Sequence, residues 1–111
     1  MAKPKLNFAP APTFCATVQI IGQGAPAPVP VEFTFRYRTK DQAIAWEAEE
    51  IPALHAKGGN VAVLQSMATG WDQDPPFDAD NLALFDQCYM GAIKQIRDEY
   101  KNCLLGARLG N

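Results

Sequence analysis

From Thr13 to Ile21 apolar and polar side chains alternate. Phe14, Ala16, Val18 and Ile20 share one side, and Thr13, Cys15, Thr17 and Gln19 share the other. A period of two belongs to a strand with one face buried. The same alternation returns from Val29 to Arg38. Val29, Val31, Phe33, Phe35 and Tyr37 lie on one side, opposite Pro30, Glu32, Thr34, Arg36 and Arg38. Between the two runs, Gly22-Gln23-Gly24-Ala25-Pro26-Ala27-Pro28 is rich in turn residues that cannot carry a strand ladder. Together these segments predict an antiparallel β-hairpin over about residues 13–21 and 29–38. A hairpin alone is marginal in water, so its apolar face needs cover.

After Tyr37 the period lengthens to that of helices. Thr39 and Gln42 have capping-box spacing. They open a helix expected to run to about Glu50 and stop near Pro52, which has no backbone N–H to donate. Ile44, Ala48 and Ile51 form its apolar stripe, with Trp46 off the edge. A break at Lys57-Gly58-Gly59-Asn60 precedes a second helix over about 60–69, with Val61, Leu64, Met67 and Ala68 on one face. Gly70 suits its left-handed C′ position, and Trp71 is positioned to fold back on the last turn. An acidic, proline-containing loop follows. Asp78 or Asp80 caps a third helix carrying Leu82, Phe85 and Tyr89. A fourth, over about 92–107, aligns Ile93, Ile96, Tyr100, Cys103 and Leu104, with Lys94, Gln95, Arg97, Asp98 and Lys101 on the wet side. Strands first and helices after predict an α+β fold: the hairpin packed against three or four short C-terminal helices. Residues 13–111 read as one domain, preceded by a flexible proline- and alanine-rich leader over 1–12.

Composition narrows the function classes. The chain has 111 residues, is 48% apolar and 20% charged, and carries a formal net charge of -2. That suits one globular domain with a true core. A net negative charge argues against a broad polyphosphate-binding surface. No apolar run is long enough for a membrane span, and the N-terminal lysines are not followed by the apolar stretch of a secretion signal. The expected location is therefore the cytoplasm.

Candidate chemistry is sparse. Gly22 to Ala27 spells G-x-G-x-x-A, yet the pyrophosphate fingerprint needs a helix N-terminus after it, and here a β pattern follows. Asp72, Asp74, Asp78 and Asp80 are dense, but Pro76 and Phe77 occupy the positions where a calcium loop needs a ligand and glycine. These aspartates read as a solvated turn plus a helix cap. Cys15, Cys88 and Cys103 form no C-x-x-C pair and read as small buried hydrophobes. His55 has no partner at triad or ligand spacing, and Glu47, Glu49 and Glu50 read as a wet helix face. No catalytic residue, metal ligand or cofactor site is predicted. The charges of most interest are Arg36 and Arg38 on one strand face, with Lys40 just beyond. They offer a local patch for an acidic or nucleic-acid partner. The aromatic residues of that strand lie on the opposite face, unlike an RNA-binding sheet.

Several pieces, in their order and spacing, carry a resemblance over about residues 13–111. They are Tyr37-Arg38-Thr39-Lys40 at the strand-to-helix junction and Gly70-Trp71-Asp72 with the following acidic loop and Pro76-Phe77. Tyr100 and the ending Leu105-Gly106-Ala107-Arg108-Leu109-Gly110-Asn111 complete the set. In these the chain resembles the tail assembly chaperones of long-tailed phages and prophages. The resemblance implies a non-enzymatic protein of the bacterial host's cytoplasm that coats the tape measure protein and keeps it soluble while the tail tube assembles. In many phages a ribosomal frameshift extends such proteins, and the extension recruits the tube protein; this chain would correspond to the short form. Arg36, Arg38 and Trp71 are the expected partner contacts, with an apolar groove between hairpin and helices and Trp71 near its rim. A prophage nucleic-acid-binding or regulatory protein using Arg36, Arg38 and Lys40, or a structural component of the virion, are the alternatives.

Overall fold

The structure, a computed structural model, describes residues 11–105 other than 23 and 25. Most of the expected leader, and the chain end beyond Leu105 that the fourth helix and the resemblance reach into, lie outside the described residues. β1 (Thr13–Ile20) and β2 (Val29–Arg36) form the expected antiparallel hairpin, with Ala16 opposite Phe33 and Val18 opposite Val31. Val18, Ile20, Val31, Phe33 and Phe35 all point into the core, at most 5% exposed. The alternation thus does what its period requires: it sends one face inward and leaves Cys15, Thr17, Glu32 and Arg36 outside.

The helical half differs from expectation at two junctions. The first is at Pro52. α1 (Lys40–Ala45) opens with the predicted capping box: Thr39 Oγ1 accepts from the Gln42 N–H, and Gln42 Oε1 accepts from the Thr39 N–H. The helix does not stop there. It widens into a π turn over Trp46–Glu50 and continues as α2 (Ile51–Met67), with Pro52 in the first turn. The Ile51 N–H bonds back to the Trp46 carbonyl. A wider turn just upstream relieves the clash between a proline ring and the preceding carbonyls, so proline no longer ends the run. The extra residue also rotates the faces. Of the stripe predicted there only Ile51 is buried; Ile44 is 58% exposed and Ala48 lies outside, while Trp46, expected off the edge, is fully buried. The break expected near Gly59 is present: its φ of 62° and ψ of -149° interrupt α2.

The second difference follows Met67. The helix ends there, and Ala68–Trp71 forms β3, a third strand paired antiparallel with β2 in the order β1–β2–β3. Gly70 is therefore a strand residue opposite Thr34 and not a helix C′, and Trp71 faces Phe33. Thr69 and Trp71 are strand formers, and the edge of β2 supplies the ladder that stops the helix. Past β3, Asp72 prolongs the pairing: its N–H donates to the Glu32 carbonyl at 3.0 Å, and its Oδ1 accepts from the Glu32 N–H at 3.1 Å.

α3 (Ala79–Cys88) is capped by Asp78, whose carboxylate accepts from the Asn81 N–H at 3.0 Å. Gly91, with φ 83°, then turns the chain into α4 (Ala92–Leu104). Leu82 on α3 and Ile93, Ile96, Tyr100 and Cys103 on α4 are buried as predicted. The result is α+β: a three-stranded antiparallel sheet with one face under three helical bodies, the α1–α2 run, α3 and α4. The core between them is rich in aromatic residues. Phe35 sits 5.5 Å from Phe33, 5.6 Å from Phe14 and 5.1 Å from Tyr100, ring centre to ring centre.

Gly59 occupies backbone space that side chains with a Cβ avoid. Gly59→Ala should destabilise the fold by about 1–3 kcal/mol, although the added methyl meets no neighbour within 4 Å. Urea unfolding of the two proteins checks this.

Candidate functional site

The residues singled out in the sequence occupy two distant places. The first is the junction of β2 with α1. The strand ends at Arg36, and the Tyr37 N–H donates to the Pro12 carbonyl at 2.8 Å. The alternation stops with the strand, so Tyr37 is partly exposed and Arg38 does not join Arg36 on the outer face. Arg38 swings inward. Its Nη1 donates to the Ser66 carbonyl and to Tyr100 Oη, each at 2.9 Å, and its guanidinium lies 5.0 Å from the centre of the Trp46 ring. Trp46 Nε1 donates to Ser66 Oγ at 2.9 Å, which in turn donates to the Val63 carbonyl at 2.6 Å. Tyr100 Oη completes the set by donating to the Arg36 carbonyl at 2.7 Å. Arg36 itself is exposed, with a long contact from Nε to the Gln65 carbonyl at 3.4 Å. Lys40 is exposed at the start of α1. The three cations therefore do not form one solvent-facing row.

The second place is a groove of about 270 Å³ at the closed end of the hairpin. Ile20, Val29 and Val31 form its floor on the sheet side, Trp71 and Pro75 one wall, and Leu84, Phe85, Cys88 and Tyr89 of α3 the other. Trp71 lies over Phe33, 6.2 Å between ring centres, and is held from the loop and α3 as well. Its Nε1 donates to the Pro75 carbonyl at 2.8 Å, and its ring meets Phe77 at 5.4 Å and Phe85 at 5.5 Å, both edge-on. Phe85 packs on Tyr89 at 5.3 Å. Leu84 is 62% and Val29 43% exposed, so the lining presents apolar surface to solvent. The polar members of the lining are Gln73 and Asn81, apart from the Tyr89 hydroxyl. Sequence alone placed Trp71 near such a rim but could not show β3, which brings Trp71 beside the sheet. A second cleft of about 340 Å³ lies between α1 and the end of α4, lined in part by Lys40, Ile44, Leu104 and Leu105. Lys101 and Glu47, both in its lining, form an ion pair at 2.8 Å.

The remaining candidates are dispersed. Only Cys103 is a buried thiol; Cys15 and Cys88 are exposed, contrary to the reading of all three as core residues. Cys15 falls on the outer face of β1, where its Sγ lies 3.8 Å from Thr34 Oγ1, and Cys88 ends α3 at the groove. His55 is exposed on α2. Asp72 and Asp78 act as the sheet-edge acceptor and helix cap described above. The Gln73 amide and the Glu32 N–H, in that order, hold the Asp72 carboxyl below its ordinary range. Among the described residues no group of three or more His, Cys, Asp or Glu could hold a metal ion.

The α+β body thus carries, beside β3, an apolar groove walled by aromatic rings, the kind of surface that helix-in-groove recognition uses. A family model described as phage tail assembly chaperone matches residues 1–111, the whole chain, and the protein belongs to that family. Comparison with curated proteins and with solved structures gave no match. Among the described residues no helix is long and apolar enough to cross a membrane.

Burial pushes the Tyr100 phenol above its ordinary value of 10.0, while its bond from Arg38 opposes the shift. The folded state thus favours the neutral phenol. Its contribution to stability is complete below about pH 10 and is lost as pH rises through the folded-state pKa. Tyr100→Phe should remove this part of the alkaline fall in stability and cost about 1–3 kcal/mol at neutral pH, because Arg38 and the Arg36 carbonyl each lose a buried partner. Urea midpoints measured at neutral and alkaline pH give both effects.

Proposed function

We propose that the protein acts in the bacterial host's cytoplasm as a holding factor for the tape measure protein. An amphipathic helical segment of that partner would lie in the groove between the hairpin and α3, so keeping a long helical chain soluble during tail assembly. The observation that carries this reading is the groove itself. It combines an apolar floor, exposed Leu84 and Val29, and a Trp71 ring fixed by the Pro75 carbonyl, Phe77 and Phe85. Helix-in-groove recognition needs such a surface. Of the expected contacts, Trp71 lines the groove; Arg36 and Arg38 stand at the opposite end of β2, where Arg36 is free to make an accessory contact. Residues 13–111 act as one unit behind the leader over 1–12. The task is binding without chemistry, repeated along the partner and reversible when tube subunits arrive. Modest affinity at each site, summed over many copies, meets both needs. A longer, frameshifted form would bring in the tube protein.

Co-expression of the full chain with the tape measure protein of the same phage tests this reading. The partner should stay in the soluble fraction with the unaltered chain. It should fall several-fold with Leu84→Glu, which places a charge on the exposed groove wall, and be unaffected by Ile44→Glu in the second cleft. Equal solubility with Leu84→Glu would overturn the assignment to the groove. Recovery of the protein in purified virions would instead favour a structural role.

A further inference from the structure

The groove has a sign. No lysine, arginine or histidine stands between Trp71 and Lys94, while Asp72, Asp74, Asp78, Asp80 and Asp86 all fall in that stretch. Two of these serve α3 and its contact with α2: Asp78 caps α3, and Asp86 Oδ1 accepts from Asn60 Nδ2 at 3.1 Å. The others flank the lining. Asp72 lies between Trp71 and Gln73, Asp74 between Gln73 and Pro75, and Asp80 precedes Asn81. All three are exposed, and no lining residue is basic. Asp72 keeps its charge to lower pH than an ordinary carboxylate, since it accepts from the Gln73 amide and the Glu32 N–H.

Resting on the groove reading above, we propose that its occupant is an amphipathic helix whose apolar stripe is bordered by lysine or arginine. The apolar lining would take the stripe, and the rim carboxylates would meet the flanking cations. Rim charges contribute little energy each, but they steer encounter and repel acidic helices. A groove flanked by Asp72, Asp74 and Asp80, with no basic residue in its lining, thereby selects partners by sign as well as by shape.

Two synthetic amphipathic helices with the same leucine stripe, one bordered by lysine and one by glutamate, test the proposal against the full chain. Titrations followed by amide shifts should place the lysine peptide against Val31, Trp71 and Phe85. It should bind about tenfold more tightly than the glutamate peptide at low ionic strength, with an advantage that shrinks as salt is added. Asp74→Asn combined with Asp80→Asn should remove most of that advantage and leave binding of the glutamate peptide unchanged. Equal affinity for the two peptides, a preference for the glutamate peptide, or no shift at the groove with either would overturn the proposal. Equal affinity together with loss of tape measure solubility in Leu84→Glu would discard the charge preference while keeping the groove as the holding site.

Discussion

The fold depends on how one phenol is satisfied. Tyr100 is fully buried in a core of aromatic rings, where an unpaired hydroxyl would be costly. It donates to the last residue of β2 and accepts from Arg38, two residues further on. Arg38 also holds the Ser66 carbonyl near the end of α2 and lies against Trp46 in the π turn, whose indole bonds the Ser66 hydroxyl. Sheet, first helical run and last helix are thus joined at one polar knot within apolar surroundings. Because every partner in the knot bonds another, its cost of burial is offset, and it fixes which helix face meets which strand.

What could be read from the chain was what repeats. The hairpin was legible because eight-residue alternations leave little choice of face, and α4 because five residues keep helical spacing. Caps at Thr39 and Asp78 and the interruption at Gly59 follow from local chemistry. β3 was not legible: four residues are too few to show a period, and Met67 and Ala68 continue the helical stripe before it. The run through Pro52 was hidden because a π turn is a property of the turn before the proline. Arg38 was assigned to the wrong face because alternation holds only while the strand lasts.

The groove depends on these less legible elements. Without β3, Trp71 would not stand beside the sheet, and the apolar ends of β1 and β2 would lack their wall. The acidic loop has two tasks: Asp72 extends the sheet by side-chain pairing, and Pro75 anchors the indole. A surface built this way has its rings in mutual contact at Trp71 and stands open to solvent at Leu84.

The π turn also sets a strict length for the run from Thr39 to the break at Gly59. An α-helix advances about 100° per residue, so removing one residue from the turn would rotate the stretch up to Gly59 by that angle relative to α1. Ile51 would leave the core, and the break at Gly59 would have to absorb the turn for Ser66 to stay within reach of Arg38 and Trp46. The segment therefore tolerates exchange of its exposed side chains far better than it tolerates a change in their number.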